Sequence, residues 1–234
     1  LYQSMATGLD FLNQVPANGN AKLVQSAVRH WSGLYDDLKS DPAAQATIAS
    51  RVIKIYGPRL QQIGFAPKAG EPAVDALLRG TLIGILGEFK DPSVLAEANR
   101  LFAAWQSNPE AIPGSLKQTW LGVIARNANA ATWNVLHAKA RAATGSVERT
   151  SLYELLGSTT DVTVARRALA LALTDEPGKT TSAGIITQVA GEHPRMAVDF
   201  ALSHLAQVNE LVDISGRSRF MQRLSAGSND ASLV

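Results

Sequence analysis

Two Asp-Pro dipeptides, Asp41-Pro42 and Asp91-Pro92, stand fifty positions apart, and each precedes a long stretch with apolar residues at helical spacing. An Asp side chain accepts hydrogen bonds from the free amides at a helix start, and Pro is preshaped for the first turn. Each dipeptide therefore predicts the start of a helix. Asn108-Pro109 and His193-Pro194 carry a similar signal, and Thr160-Asp161 carries it without a proline. The repeated helix starts along the chain predict a stack of helix pairs.

The spacing of apolar residues extends the prediction along the chain. Steps of three and four fill the stretch 43–63, with Gly64 as the predicted C-cap. The same period continues from Glu71 to Phe89 and again after Asp91-Pro92. Further helices are predicted at 115–127, 129–144, 147–156, 160–173, 181–191, 194–213 and 216–226. No segment shows sustained alternation of apolar and polar residues, so no sheet is predicted.

Short linkers make consecutive helices antiparallel neighbours. The predicted fold is therefore all-α, a superhelix of antiparallel helix pairs. The segments share no signature of tetratricopeptide or ankyrin repeats, so the arrangement is closest to an irregular α-α solenoid of the HEAT or armadillo kind. We expect one superhelical domain over 1–234. The turn-rich stretch 107–114 is either a seam inside it or a longer loop between repeats.

Composition excludes several classes of protein. The 22 basic and 20 acidic residues are interspersed along helix faces, which argues against a nucleic-acid partner. There is no cysteine, so disulfides and thiolate metal sites are excluded. No apolar run approaches the roughly 20 residues that span a bilayer, and no targeting segment is visible. The sequence predicts a soluble piece without a membrane partner and leaves its compartment open.

The first residues, Leu1 to Met5, have no initiator Met at position 1 and no basic or apolar region of a signal peptide, and their pattern is typical of the middle of a helix. The last residues, Ala226 to Val234, contain no clear helix terminator. We therefore expect a piece of a longer protein, cut at both ends.

No catalytic or metal-binding motif is visible. The four histidines, His30, His137, His193 and His204, are far apart, and none begins an HExxH. There is no P-loop, and Gly216-Arg217-Ser218 lacks the strand and second glycine of a nucleophile elbow. We therefore predict no catalytic residue and no metal ligand in this piece.

Four arginines are candidates for contacts with a ligand. Arg217, Arg219 and Arg223 fall within seven residues and could hold a carboxylate, since a guanidinium binds one through two parallel hydrogen bonds. The alternative is a solvated basic helix face or salt bridges between helices. Arg79 follows Leu77-Leu78 in a strongly apolar helix and needs a buried partner. For Arg79 an internal salt bridge is the favoured interpretation.

Several short residue runs, some apolar and some helix-capping, follow one another along the chain in an order that is typical of a known family. They are Leu77-Leu78-Arg79, Leu82-Ile83, Asp91-Pro92, Ala98, Leu101-Phe102, Trp105, Ile112-Pro113, Trp133, Glu148-Arg149, Leu155-Leu156-Gly157, Thr160-Asp161 and Ala197-Val198-Asp199-Phe200. Together, over nearly the whole chain, they resemble the C-terminal helical domain of the aminopeptidase N and puromycin-sensitive aminopeptidase family of zinc metallopeptidases.

The resemblance implies that catalysis and this helical piece belong to different domains of the parent protein. In such enzymes the zinc ligands, the motif that grips the substrate's amino terminus and the transition-state tyrosine belong to a separate catalytic domain. The resemblance therefore implies zinc in the parent protein but no cofactor in this piece. Its implied partners are the catalytic domain of the same polypeptide and peptide substrates. The implied role is to close over the active site and shape the cavity that peptides enter.

Two hypotheses follow. The leading one is a non-catalytic C-terminal portion of a zinc aminopeptidase that removes N-terminal residues from peptides. The alternative is a free-standing HEAT-like scaffold that binds a protein partner. An HExxH upstream in the parent gene favours the first hypothesis, whereas a reading frame that begins shortly before Leu1 favours the second.

Overall fold

The computed structural model describes residues 5–39, 41–226, 228 and 233. Within these residues there are thirteen α-helices, three short 3-10 turns and no strand, so the predicted all-α class is confirmed. The chain divides into two compact units, an N-terminal unit of residues 1–123 and a C-terminal unit of residues 124–234. The stretch 107–114 lies inside the N-terminal unit. Of the predicted helix at Leu1 to Met5, residues 1–4 lie outside the described residues.

The N-terminal unit contains both Asp-Pro starts, and both act as predicted. Asp41 accepts a hydrogen bond from the amide of Ala44, and Asp91 accepts from the amides of Ser93 and Val94. The predicted C-cap, Gly64, has φ of 82°, a region that favours glycine. The helices are α1 (Met5–Gln14), α2 (Ala21–Asp37), α3 (Pro42–Ile63), α4 (Ala73–Glu88), α5 (Pro92–Ser107) and α6 (Lys117–Arg126), which crosses the boundary between units.

Helices α2 and α4 run parallel, and α3 packs against both. Gln25 donates to the Thr81 hydroxyl, and Ser32 donates to Glu88, seven residues further along both helices. The return helix between two parallel neighbours is the arrangement that helix pairs produce when they stack. The core of this unit is large and aromatic. Its fully buried side chains include Trp31, Tyr56, Leu60, Leu82, Leu86 and Trp120.

The C-terminal unit is built around one central helix. Its helices are α7 (Ala130–Ala142), α8 (Ser146–Leu155), α9 (Val162–Ala172), α10 (Lys179–Glu192), α11 (Pro194–Ser203), α12 (Leu205–Leu211) and α13 (Arg217–Ser225). Helix α10 packs against α8, α9, α11, α12 and α13. Just after α8, a Cβ on Gly157 would lie 2.5 Å from the carbonyl oxygen of Ile185, so the chain approaches α10 more closely than any other residue type permits.

Two sequence predictions are corrected here. Asn108-Pro109 starts only a 3-10 turn, Pro109–Ala111, because Pro113 forces Ile112 into extended backbone. The single helix predicted at 194–213 is two helices, α11 and α12, broken at His204. The Nδ1 atom of His204 lies 3.0 Å from the carbonyl oxygen of Phe200, which the His204 amide also contacts. His204 has φ of −120° and ψ of 31°, outside the helical region, and its ring shares the Phe200 carbonyl with its own amide.

Within the described residues, no helix combines the length and apolar character that crossing a membrane requires.

Candidate functional site

Arg79 lies at the interface between α3 and α4 and is completely enclosed, with 1% of its surface exposed. Its guanidinium forms an ion pair with both carboxylate oxygens of Glu71. Its Nε and Nη2 groups also donate to the carbonyl oxygens of Gly64 and Ile63, at 2.9 and 3.2 Å, where α3 ends. A cation is favourable at a helix C-terminus. This geometry supports the internal salt bridge, the interpretation favoured from the sequence, because every nitrogen of the enclosed guanidinium already donates within the domain.

The same contact acts on the titration of Glu71. The hydrogen bonds from Arg79, more than any other interaction, hold the pKa of Glu71 below its ordinary value of 4.5. Glu71 therefore remains ionised at neutral pH and keeps the buried guanidinium paired.

Arg217, at the start of α13, lies half-buried in a cleft of about 360 Å³, here called the Arg217 cleft. Its Nε lies 3.0 Å from the carbonyl oxygen of Asn209 and 3.3 Å from that of Val212, at the end of α12. Among the described residues, neither Nη group has a hydrogen-bond acceptor. The side chain is thus fixed by one nitrogen while its two outer nitrogens remain able to bind a ligand.

Charges of both signs line the Arg217 cleft. Lys179 and Thr180 come from the first turn of α10, Glu210 comes from the last turn of α12, and Asp213 comes from the segment between α12 and α13. The first turn of a helix carries free amides and a partial positive charge, so Lys179, Arg217 and α10 together favour an anion. Glu210 and Asp213 can accept hydrogen bonds from N–H groups. The cleft therefore suits a ligand that presents a carboxylate beside N–H donors.

The three arginines predicted as a cluster do not share one surface. Arg219 and Arg223 are four residues apart on α13 and lie on one exposed face. Arg217 is two residues before Arg219, which turns it to the opposite side of the helix. Only Arg217 lines the cleft, while Arg219 and Arg223 form a solvated basic face.

The histidines take part in contacts within each unit. His30 contacts the carbonyl oxygen of Ser26, and His193 that of Thr159. His204 contacts Phe200, as described above. Glu192, next to His193, forms an ion pair with Arg126. Among the described residues, no three His, Asp or Glu side chains form a group that could hold a metal ion.

His137 belongs to a cluster that fastens the segment after α9. Its Nε2 lies 2.6 Å from the Glu176 carboxylate, which also accepts from the Tyr153 hydroxyl at 2.8 Å. Arg149 donates to the Glu176 carbonyl and stacks on the Tyr153 ring. Burial opposes ionisation of Glu176, but the hydrogen bonds from His137 and Tyr153 lower its pKa overall. Burial and the Glu176 contact raise the pKa of Tyr153.

A second, larger depression lies between α9 and α11 and is here called the α9–α11 groove. Its volume is about 600 Å³. The residues that line it are Arg166, Leu169, Ala170, Arg195, Met196, Asp199, Phe200, Ser203 and His204.

Sequence reasoning missed the groove and most of the cleft. The only sequence signal of the groove is the i, i+4 spacing of Arg195 with Asp199 and of Met196 with Phe200 on α11. Nothing in that spacing shows that α9 supplies the opposite wall. Similarly, Lys179 reaches the Arg217 cleft from a helix more than thirty residues away.

The packed helices and the enclosed Arg79 ion pair define an all-α domain. Residues 2–231 match the family model described as the ERAP1-like C-terminal domain. The chain therefore belongs to that family, the C-terminal helical domain of the M1 aminopeptidases. This establishes the family proposed from the residue runs.

Proposed function

We propose that this domain is the non-catalytic C-terminal part of a zinc-dependent aminopeptidase that removes N-terminal residues from peptides. The observation that carries the proposal is the family match over residues 2–231. In this proposal zinc and the reacting groups lie in the catalytic domain of the same polypeptide. The helical domain closes over that site, limits which peptides enter and excludes water during turnover.

Within this proposal the Arg217 cleft binds the distal carboxylate of a longer peptide. The unused Nη groups supply the two parallel hydrogen bonds that a carboxylate accepts. Lys179 adds a second positive charge, and Glu210 and Asp213 accept N–H groups of the peptide backbone. Arg219 and Arg223 lie on the solvated face and contribute long-range attraction, which salt screens.

Zinc dependence is tested on the full chain as its gene encodes it. The expected result is hydrolysis of aminoacyl chromogenic substrates that stops when a chelator removes the metal and returns when zinc is restored. A full chain that folds and remains inactive with zinc would contradict the proposal. It would then favour the alternative, a HEAT-like scaffold that binds a protein partner through its helices.

The role of the cleft is tested by Arg217→Gln in the same protein. Removing a charged hydrogen-bond donor should raise KM for peptides long enough to reach the cleft by about tenfold. KM for a single-residue substrate should not change. Arg219→Gln and Arg223→Gln are matched controls that remove the same charge from the exposed face, and they should show a smaller effect that vanishes at high salt. Equal effects of Arg217→Gln on both substrates would rule out peptide binding at the cleft.

A further inference from the structure

The α9–α11 groove is not used by the proposed function, and its two walls come from helices that flank α10. Helix α10 packs against both α9 and α11, and the groove is lined by those two helices and His204. Adjacent arginines on α9 point in different directions. Arg167 donates to Asn134 at 2.6 Å and lies over the Trp133 ring at 4.4 Å, whereas Arg166 lines the groove.

The groove contains apolar side chains from both walls. Leu169 comes from α9, and Met196 and Phe200 come from α11. The His204 ring lies 4.5 Å from the Phe200 ring and extends this aromatic surface. A volume of about 600 Å³ is in the range of sites that take small organic molecules. Such sites combine an apolar lining with a few polar groups that fix orientation.

The charges around the groove select one kind of polar group. Arg166 is exposed on α9 and has no ion-pair partner among the residues that the structure describes. Arg195 lines the same groove from α11, one position before Met196. Asp199 contributes one opposing charge, so these three side chains leave a single positive charge in excess. That excess favours a monoanion over a polyanion.

We propose that the α9–α11 groove binds a small amphiphilic monocarboxylate, a molecule with an apolar body and a single carboxylate. Its body lies on Leu169, Met196 and Phe200, and its carboxylate binds the guanidinium of Arg166, while Arg195 adds positive charge to the same groove. The planar guanidinium of Arg166 suits this group because it can donate two parallel hydrogen bonds to a carboxylate. The site does not depend on the proposed peptidase activity, because none of its residues lines the Arg217 cleft.

The test is isothermal titration of the full chain with three probes that share one apolar body. They are 4-phenylbutyrate, its neutral amide 4-phenylbutanamide, and the cation 4-phenylbutylamine. The carboxylate should bind at least tenfold more tightly than the amide, and the amine should bind most weakly. Equal binding of carboxylate and amide would overturn the proposal, and so would preference for the amine.

Variants locate the binding. Arg166→Gln should weaken 4-phenylbutyrate about tenfold, the effect of losing one charged hydrogen-bond donor. Asp199→Asn should tighten it several-fold, because it removes the opposing charge. A gain in affinity cannot arise from misfolding, so this variant keeps the test decisive if Arg166→Gln proves unstable. Arg141→Gln on α7, an exposed arginine outside the groove, is the control and should bind as the wild type does. No change in Arg166→Gln, or weaker binding in Asp199→Asn, would contradict the site.

Discussion

Arg79 in the N-terminal unit and Arg217 in the C-terminal unit contrast in how many of their nitrogens are bound. Arg79 is enclosed, pairs with Glu71 and donates to two carbonyl oxygens at the end of α3. Arg217 uses only Nε, and its Nη groups have no acceptor among the described residues. Both were candidate ligand contacts from the sequence. The contrast teaches that residue type selects candidates, while the geometry of the donors separates a structural arginine from one able to bind.

The largest expected effect comes from removing Arg79. Arg79→Ala leaves the Glu71 carboxylate and two helix-terminal carbonyls without their donor, and each buried acceptor left unsatisfied costs about 1 to 3 kcal/mol. Urea unfolding of the full chain, followed by circular dichroism, measures the loss. Arg100→Ala is the control because Arg100 forms an exposed ion pair with Glu97 on the same unit, and it should have little effect. Equal stability of the two variants would mean that the Arg79 pair is not structural.

Glycine contacts give the next largest effect and compare the two units. At Gly157 a Cβ would lie 2.5 Å from the backbone oxygen of Ile185, which cannot move alone. At Gly87 it would lie 2.5 and 2.7 Å from the two methyl carbons of Val123, so the contact is with side-chain atoms and not with backbone. Gly157→Ala should therefore cost about 2 kcal/mol and Gly87→Ala roughly 1 kcal/mol.

Urea unfolding of both variants checks that order. Gly191→Ala is the control, since a Cβ there meets nothing within 4 Å and alanine favours the helix by up to about 1 kcal/mol. If Gly87→Ala were the more damaging change, the close approach at Gly157 would not be as described.

Acid should weaken the Arg79 pair. Arg79 holds the pKa of Glu71 below 4.5, so the unfolded state binds a proton more readily than the folded state. The stability that this contact provides is therefore complete above the ordinary pKa and is lost as pH falls through the lower folded value. Urea midpoints measured between neutral pH and about pH 3 should fall more steeply in wild type than in Glu71→Gln. Parallel pH profiles would show that Glu71 does not titrate as a paired group.

Local sequence signals predicted the helices well where capping residues determine the boundary. Asp41, Asp91 and Asp161 all cap helices as predicted. The signal failed at Asn108-Pro109, where a second proline stops the helix after one turn. It also failed at His204, where an imidazole contacts a helix carbonyl and no proline or glycine marks the break. Contacts between residues far apart in the sequence could not be predicted from local patterns. Lys179 and Arg217, for example, line one cleft only because α10 packs against α12 and α13.

The most direct test of the central claim pairs a change in the protein with a change in the ligand. Wild type and Arg217→Gln, each as the full chain, are assayed on one long peptide with a free C-terminal carboxylate and with a C-terminal amide. If Arg217 binds that carboxylate, amidation should raise KM about tenfold in wild type and leave KM of Arg217→Gln unchanged. The same penalty for amidation in both proteins would contradict the assignment of the Arg217 cleft.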